Sequence, residues 1–114
     1  MFKAGESYQA KITDAGLMET KDGQAQPFMK FKCMSEDEQQ EFTWFGSFKS
    51  QKATDIAIKA LITAGFIGSD VDDLKEGLLM FKEATIFCEL EEDDRQRLKV
   101  KWVNGAAKVI KKLS

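Results

Sequence analysis

Arg97, Lys99 and Lys101 alternate with Leu98, Val100 and Trp102 near the end of this 114-residue chain, and that spacing sorts charge by face. Side chains alternate across a strand, so the three cations share one face and the three apolar residues share the other. Two further segments combine cations with flat rings. Phe28, Lys30 and Lys32 fall on one face of a second run, and Phe45, with Thr43 and Ser47, on one face of a third. Lys11 adds a cation from an earlier segment. Lysine and arginine spaced along a surface neutralise phosphates, and exposed rings stack bases at about 1–3 kcal/mol each. Together these residue types could hold a single-stranded nucleic acid by its backbone and by its bases.

Other roles compete for the same residues. With nine phenylalanines in the chain, most rings belong in a core, and Trp44 and Trp102 are both expected to be buried there. Lysines on strands also shield solvated edges from unwanted pairing. The acidic run Glu89, Glu91, Glu92, Asp93 and Asp94 could hold magnesium for a nuclease, but consecutive acids in a hairpin point in several directions. With no histidine in the chain, the commonest general base is missing as well. Asp70, Asp72 and Asp73 lack calcium-loop spacing and read as charge at a helix end. Gly-rich phosphate loops and nucleophile motifs are absent, so neither an enzyme nor a cofactor is expected.

The composition sets the frame. Seventeen basic and nineteen acidic residues give a net charge of -2, which argues against coating duplexes through bulk charge. Any polyanion must meet local charge. Cys33 and Cys88 sit among apolar neighbours without CxxC spacing and read as reduced, buried thiols. At 43% hydrophobic the chain is expected to form a single domain over 1–114 with an ordinary core. No run approaches the roughly 18 apolar residues of a membrane span, so a soluble, unexported cytoplasmic protein is expected.

Those residues need elements to position them. Period-two patterns predict strands over 7–14, 28–34, 41–48, 83–90 and 96–103. On the second, Met29, Phe31 and Cys33 form the inward set; on the third, Phe45 is the ring expected outside. Ala53, Ile56, Ala57, Ala60, Leu61 and Ala64 recur at helical spacing, with Ser50 placed to cap the start and Gly65 the end. A capping pattern at residues 69–72 predicts a short helical turn stopped near Gly77. Residues 106–113 form a basic tail, read as a turn of helix.

The order β-β-β-α-β-β predicts a mainly β domain with one main helix, built as a five-stranded OB-fold-like barrel. Split barrels and α+β sandwiches share that order. The segment Gly5-Glu6-Ser7-Tyr8-Gln9-Ala10-Lys11-Ile12, the Glu19-Thr20-Lys21-Asp22-Gly23 turn, Gly46-Ser47-Phe48 and Leu98-Lys99-Val100-Lys101-Trp102-Val103-Asn104 together resemble a family of small bacteriophage and prophage proteins. That resemblance implies an OB-fold single-stranded-DNA-binding protein of a bacterial host cell, associated with recombination and replication proteins. The chain departs from many such binders in ending on a basic tail, where they carry an acidic, protein-recruiting one. The expected function is sequence-tolerant, non-enzymatic binding of single-stranded DNA through Lys11, Phe28, Lys30, Lys32, Phe45, Arg97, Lys99 and Lys101. The alternative is a protein-interaction or assembly module, with the exposed rings or the edge of the fifth strand forming a homodimer.

Overall fold

The computed structural model describes residues 1–105; the basic tail, and the helical turn expected there, lie outside the described residues. Five strands form one antiparallel sheet: β1 (Ser7–Glu19), β2 (Ala25–Met34), β3 (Gln39–Phe45), β4 (Ile86–Glu92) and β5 (Leu98–Gly105). Between β3 and β4 lie helix α1 (Gln51–Thr63) and a 3-10 segment, α2 (Val71–Met80). The domain is mainly β, as the order of patterns predicts.

The sheet order is β3-β2-β1-β4-β5. β3 and β5 are its two edges, yet their Cα atoms approach within 8 Å of one another, so the sheet curls strongly. Alternation explains which side it curls around. Met29, Phe31 and Cys33 are fully buried on β2, as are Ile86, Cys88 and Leu90 on β4, and Phe42 and Trp44 join them from β3. Each large side chain of this set stabilises the fold by about 1.5–3 kcal/mol through burial. Phe2 closes one end of the core, its ring edge-on to Tyr8 at 4.8 Å and to Phe42 at 5.1 Å.

Cys33 and Cys88 approach the core from either side of β1, opposite Ala10 and Tyr8 respectively. Both are free thiols. The adjacent Cys33 thiol, and then burial, hold the Cys88 thiol well above the ordinary range.

Helix α1 begins where expected, with the Ser50 hydroxyl accepting from the Ala53 N–H at 3.1 Å. Ala57, Ala60 and Leu61 form its buried stripe. It ends at Ala64, and Gly65 follows at φ +108, the left-handed conformation that a helix exit favours. The α2 segment opens on a capping box between Asp70 and Asp73 and buries Leu74. Gly77 interrupts it at the position where the sequence predicts a stop.

Element boundaries depart from the sequence pattern in all five strands, β2 starting at Ala25 instead of Phe28. β1 runs to Glu19 rather than stopping near Asp14, because a bulge between Ile12 and Asp14 resets the alternation and carries the strand onward. β3 ends at Phe45 instead of Phe48, β4 starts at Ile86 instead of Glu83, and β5 starts at Leu98 instead of Gln96. In β5 a second irregularity lies opposite the Glu89/Leu90 step. Leu90 pairs with Val100 and Glu89 with Trp102, so Lys101 is the extra residue. Val100 and Val103 therefore face the core, and Trp102, expected to be buried, is 43% exposed.

Candidate nucleic-acid interface

The outer face of the sheet is set by the residues that the core leaves behind. On β2 these are Phe28, Lys30 and Lys32, and on β3 Thr43 and Phe45. Register then brings them together: Phe28 lies opposite Phe45, Lys30 opposite Thr43, and Lys32 opposite Glu41. On its other side Phe28 lies opposite Gly16 of β1. Its ring occupies the space that a side chain there would fill, 3.1 Å from where a Cβ would stand.

Phe28, Lys30, Thr43 and Phe45 line a shallow cavity of about 240 Å³ with Asp14 and Met18 of β1. Phe45, 48% exposed, also belongs to a second cavity of about 390 Å³, whose far wall is Lys99 and Lys101 of β5. One ring is thus the shared wall of two recesses. This junction exists because the curl of the sheet brings the β5 edge beside the end of β3.

Lys11 and Lys32 face each other across β1 and β2, farther along the sheet and outside both recesses. Their surroundings are mixed in charge. Glu41 stands opposite Lys32 and accepts a 2.6 Å hydrogen bond from Thr13, the bulged residue of β1, and Asp14 stands opposite Lys30.

Arg97 departs from its expected place. It precedes β5 and belongs to the hairpin turn, where its Nε donates to Asp93 at 3.2 Å. The Asp93 carboxylate also accepts the backbone N–H groups of Arg95 and Arg97 at 2.8 and 2.9 Å. A carboxylate in this position organises its own turn, and Arg97 is drawn off the cationic row to serve it. Those N–H donors, with Arg97's backbone first and its guanidinium adding charge, hold Asp93 below the ordinary carboxylate value of 3.8. A depressed folded-state value means that the stabilisation is present above 3.8 and disappears as pH falls through the lower folded-state value. Acid titration followed by hydrogen exchange at the β4–β5 turn should show protection there lost below about pH 4, and Asp93→Asn should remove that pH dependence.

Lys99 is 3.8 Å from Glu91, its cross-strand partner. Lys101 forms no ion pair among the described residues; its ammonium stands 5.9 Å from the centre of the Trp102 ring. Trp102 is the residue that alternation misses. Its only sequence signal is that inward Val100 and Val103 are three apart, which a regular strand does not allow.

Among the described residues no polar or charged side chain is fully buried, and no cluster of His, Cys, Asp and Glu has the makings of a metal site. No helix among them is long and apolar enough to cross a membrane. No protein-family model matches the chain, and no curated protein matches it.

Proposed function

We propose that this protein binds single-stranded DNA without sequence preference, as a non-enzymatic OB-fold-type barrel serving recombination or replication enzymes in the cytoplasm of a bacterial host. The barrel reading is supported by the 3-2-1-4-5 strand order with its two edges drawn together, and by the helix between the third and fourth strands. The observation that carries the functional reading is Phe45, an exposed ring between Phe28 and Lys30 on one side and Lys99 and Lys101 on the other. Rings beside cations on one path are what a flexible polyanion with flat bases requires.

Fluorescence anisotropy with labelled oligo-dT of about 16 nucleotides, repeated across a salt series, tests this directly. Each phosphate neutralised contributes about -0.7 to the slope of log K against log salt. Lys99→Ala with Lys101→Ala should shallow that slope by about 0.7–1.4. Lys101→Ala alone should account for most of it, because Lys99 is already partly neutralised by Glu91.

A second reading, docking of another protein or a second copy of this chain, draws on a different surface. Ile62, Ile67 and Leu79 are 61%, 57% and 82% exposed on α1 and the segments after it. Absence of oligo-dT binding at low salt, together with self-association abolished by Ile62→Glu, would favour this reading over the first.

A further inference from the structure

The cavity between Phe45 and Lys101 does not end there. A second recess of about 340 Å³ continues from it, and the two share Trp44 as floor and Ile56 as part of the helix wall. The result is a furrow running along the seam where β3 and β5 approach, with α1 on one bank and β5 on the other. Its charged lining is Lys59 from α1 and Lys99 and Lys101 from β5, with no carboxylate among the described residues. On a chain of net charge -2, a furrow lined by cations alone is a local exception.

Trp102 lies in the far recess, brought outward by the bulge at Lys101. Bulges recur where a strand must re-aim a side chain, and a large indole left in water is costly unless something covers it. Asn104 lines the same recess, and its Nδ2 has no hydrogen-bond partner among the described residues. A buried donor without an acceptor suits a ligand that brings its own oxygen.

We infer that this furrow carries the DNA strand onward from Phe45, with Trp102 as a second stacking surface and Lys59 as a phosphate contact. The inference rests on the single-stranded-DNA reading and extends its site around the molecule. The occupant follows from continuity with the Phe45 junction and from charge: a chain of phosphates and flat bases meets three cations, an exposed indole and an unmet amide donor. An apolar peptide would leave Lys59 and Lys101 without a counter-charge among the described residues and Lys99 with Glu91 alone.

The test uses the full chain and two lengths of oligo-dT, about 6 and about 16 nucleotides, within the range a single such domain accommodates. Trp44 is buried and Trp102 exposed, so quenching of intrinsic fluorescence reports mainly on Trp102. The longer oligomer should quench more than the shorter. Trp102→Ala should weaken binding of the longer oligomer about 5- to 100-fold and leave the shorter nearly unchanged. Lys59→Glu, on the exposed face of α1, should shallow the salt slope for the longer oligomer by at least about 0.7 and act as the deciding variant if Trp102→Ala does not fold. Wild-type affinity and slope in both variants, with the wild type binding both lengths, would overturn the furrow while leaving the Phe45 site intact. Failure of the wild type to bind either length would overturn the DNA reading itself, and the furrow with it.

Discussion

Phe45→Ala is expected to weaken oligo-dT binding by about 1–3 kcal/mol, roughly 5- to 150-fold, with the salt slope unchanged. The two readouts separate because stacking and phosphate neutralisation are different interactions. Stacking buries a ring against a base and releases no counterions, whereas each lysine contact releases condensed cations and so appears in the slope. Phe45 is well suited to this separation. It is 48% exposed, so truncation leaves no cavity in the core, and it lies at the strand end where β3 stops. Its removal should cost well under 1 kcal/mol of stability, as surface substitutions usually do. A large affinity loss with an unchanged melting temperature would identify a contact to the ligand. Unchanged affinity would remove the shared wall of the two recesses from any binding role. Phe45→Tyr or Phe45→Trp should retain binding, since both keep a flat ring with some polar character at its edge.

The faces of β2 and β3 were legible in the sequence because nothing interrupts their alternation. Met29, Phe31 and Cys33 declare one side, and Phe28, Lys30 and Lys32 must take the other. The caps of α1 were equally plain, since Ser50 and Gly65 each meet a local backbone requirement that few other residues meet. Bulges were not legible. Thr13 and Lys101 carry no composition that marks an extra residue, yet each reverses the faces of everything after it. That is why Trp102 reads as core and lies outside, and why β1 continues past Asp14 through Ala15 and Gly16. Arg97 was misplaced for another reason. Alternation assigns it a face, but three donors satisfied by Asp93 fix the turn and pull it out of the strand.

The candidate site itself depends on register and curl. Phe28 and Phe45 are neighbours only because β2 and β3 pair at that step, and Lys99 and Lys101 reach Phe45 only because the two sheet edges come together. No spacing within one segment contains that information. What the sequence supplies is a parts list with the right chemistry on each strand, and tertiary geometry selects from it. Phe28, Lys30, Phe45, Lys99 and Lys101 converge, Lys11 and Lys32 lie farther along the sheet, and Arg97 belongs to a turn.

Gly65→Ala is expected to destabilise the fold by about 2–4 kcal/mol, lowering the melting temperature by roughly 10–25 °C. Two costs combine at this position. At φ +108 any L side chain is strained, a penalty of about 1–2 kcal/mol. A Cβ there would also stand 2.2 Å from the Lys82 carbonyl oxygen, which is backbone and cannot swing aside. The close approach is part of how the helical segment is tied back to the chain. The Lys82 N–H donates to the Gly65 carbonyl at 2.9 Å, and Phe66 and Phe81 form a bridge beside it. Gly5→Ala provides the control, since Gly5 has φ +84 but open space around it, and it should show the conformational penalty alone. Equal losses at the two sites would mean that the Gly65–Lys82 contact contributes nothing. A loss at Gly65 two- to threefold larger would show that this contact anchors the exit of α1. The same helix supplies Lys59 and Ile56 to the furrow, so displacing its exit should weaken binding of the longer oligomer even below the melting transition.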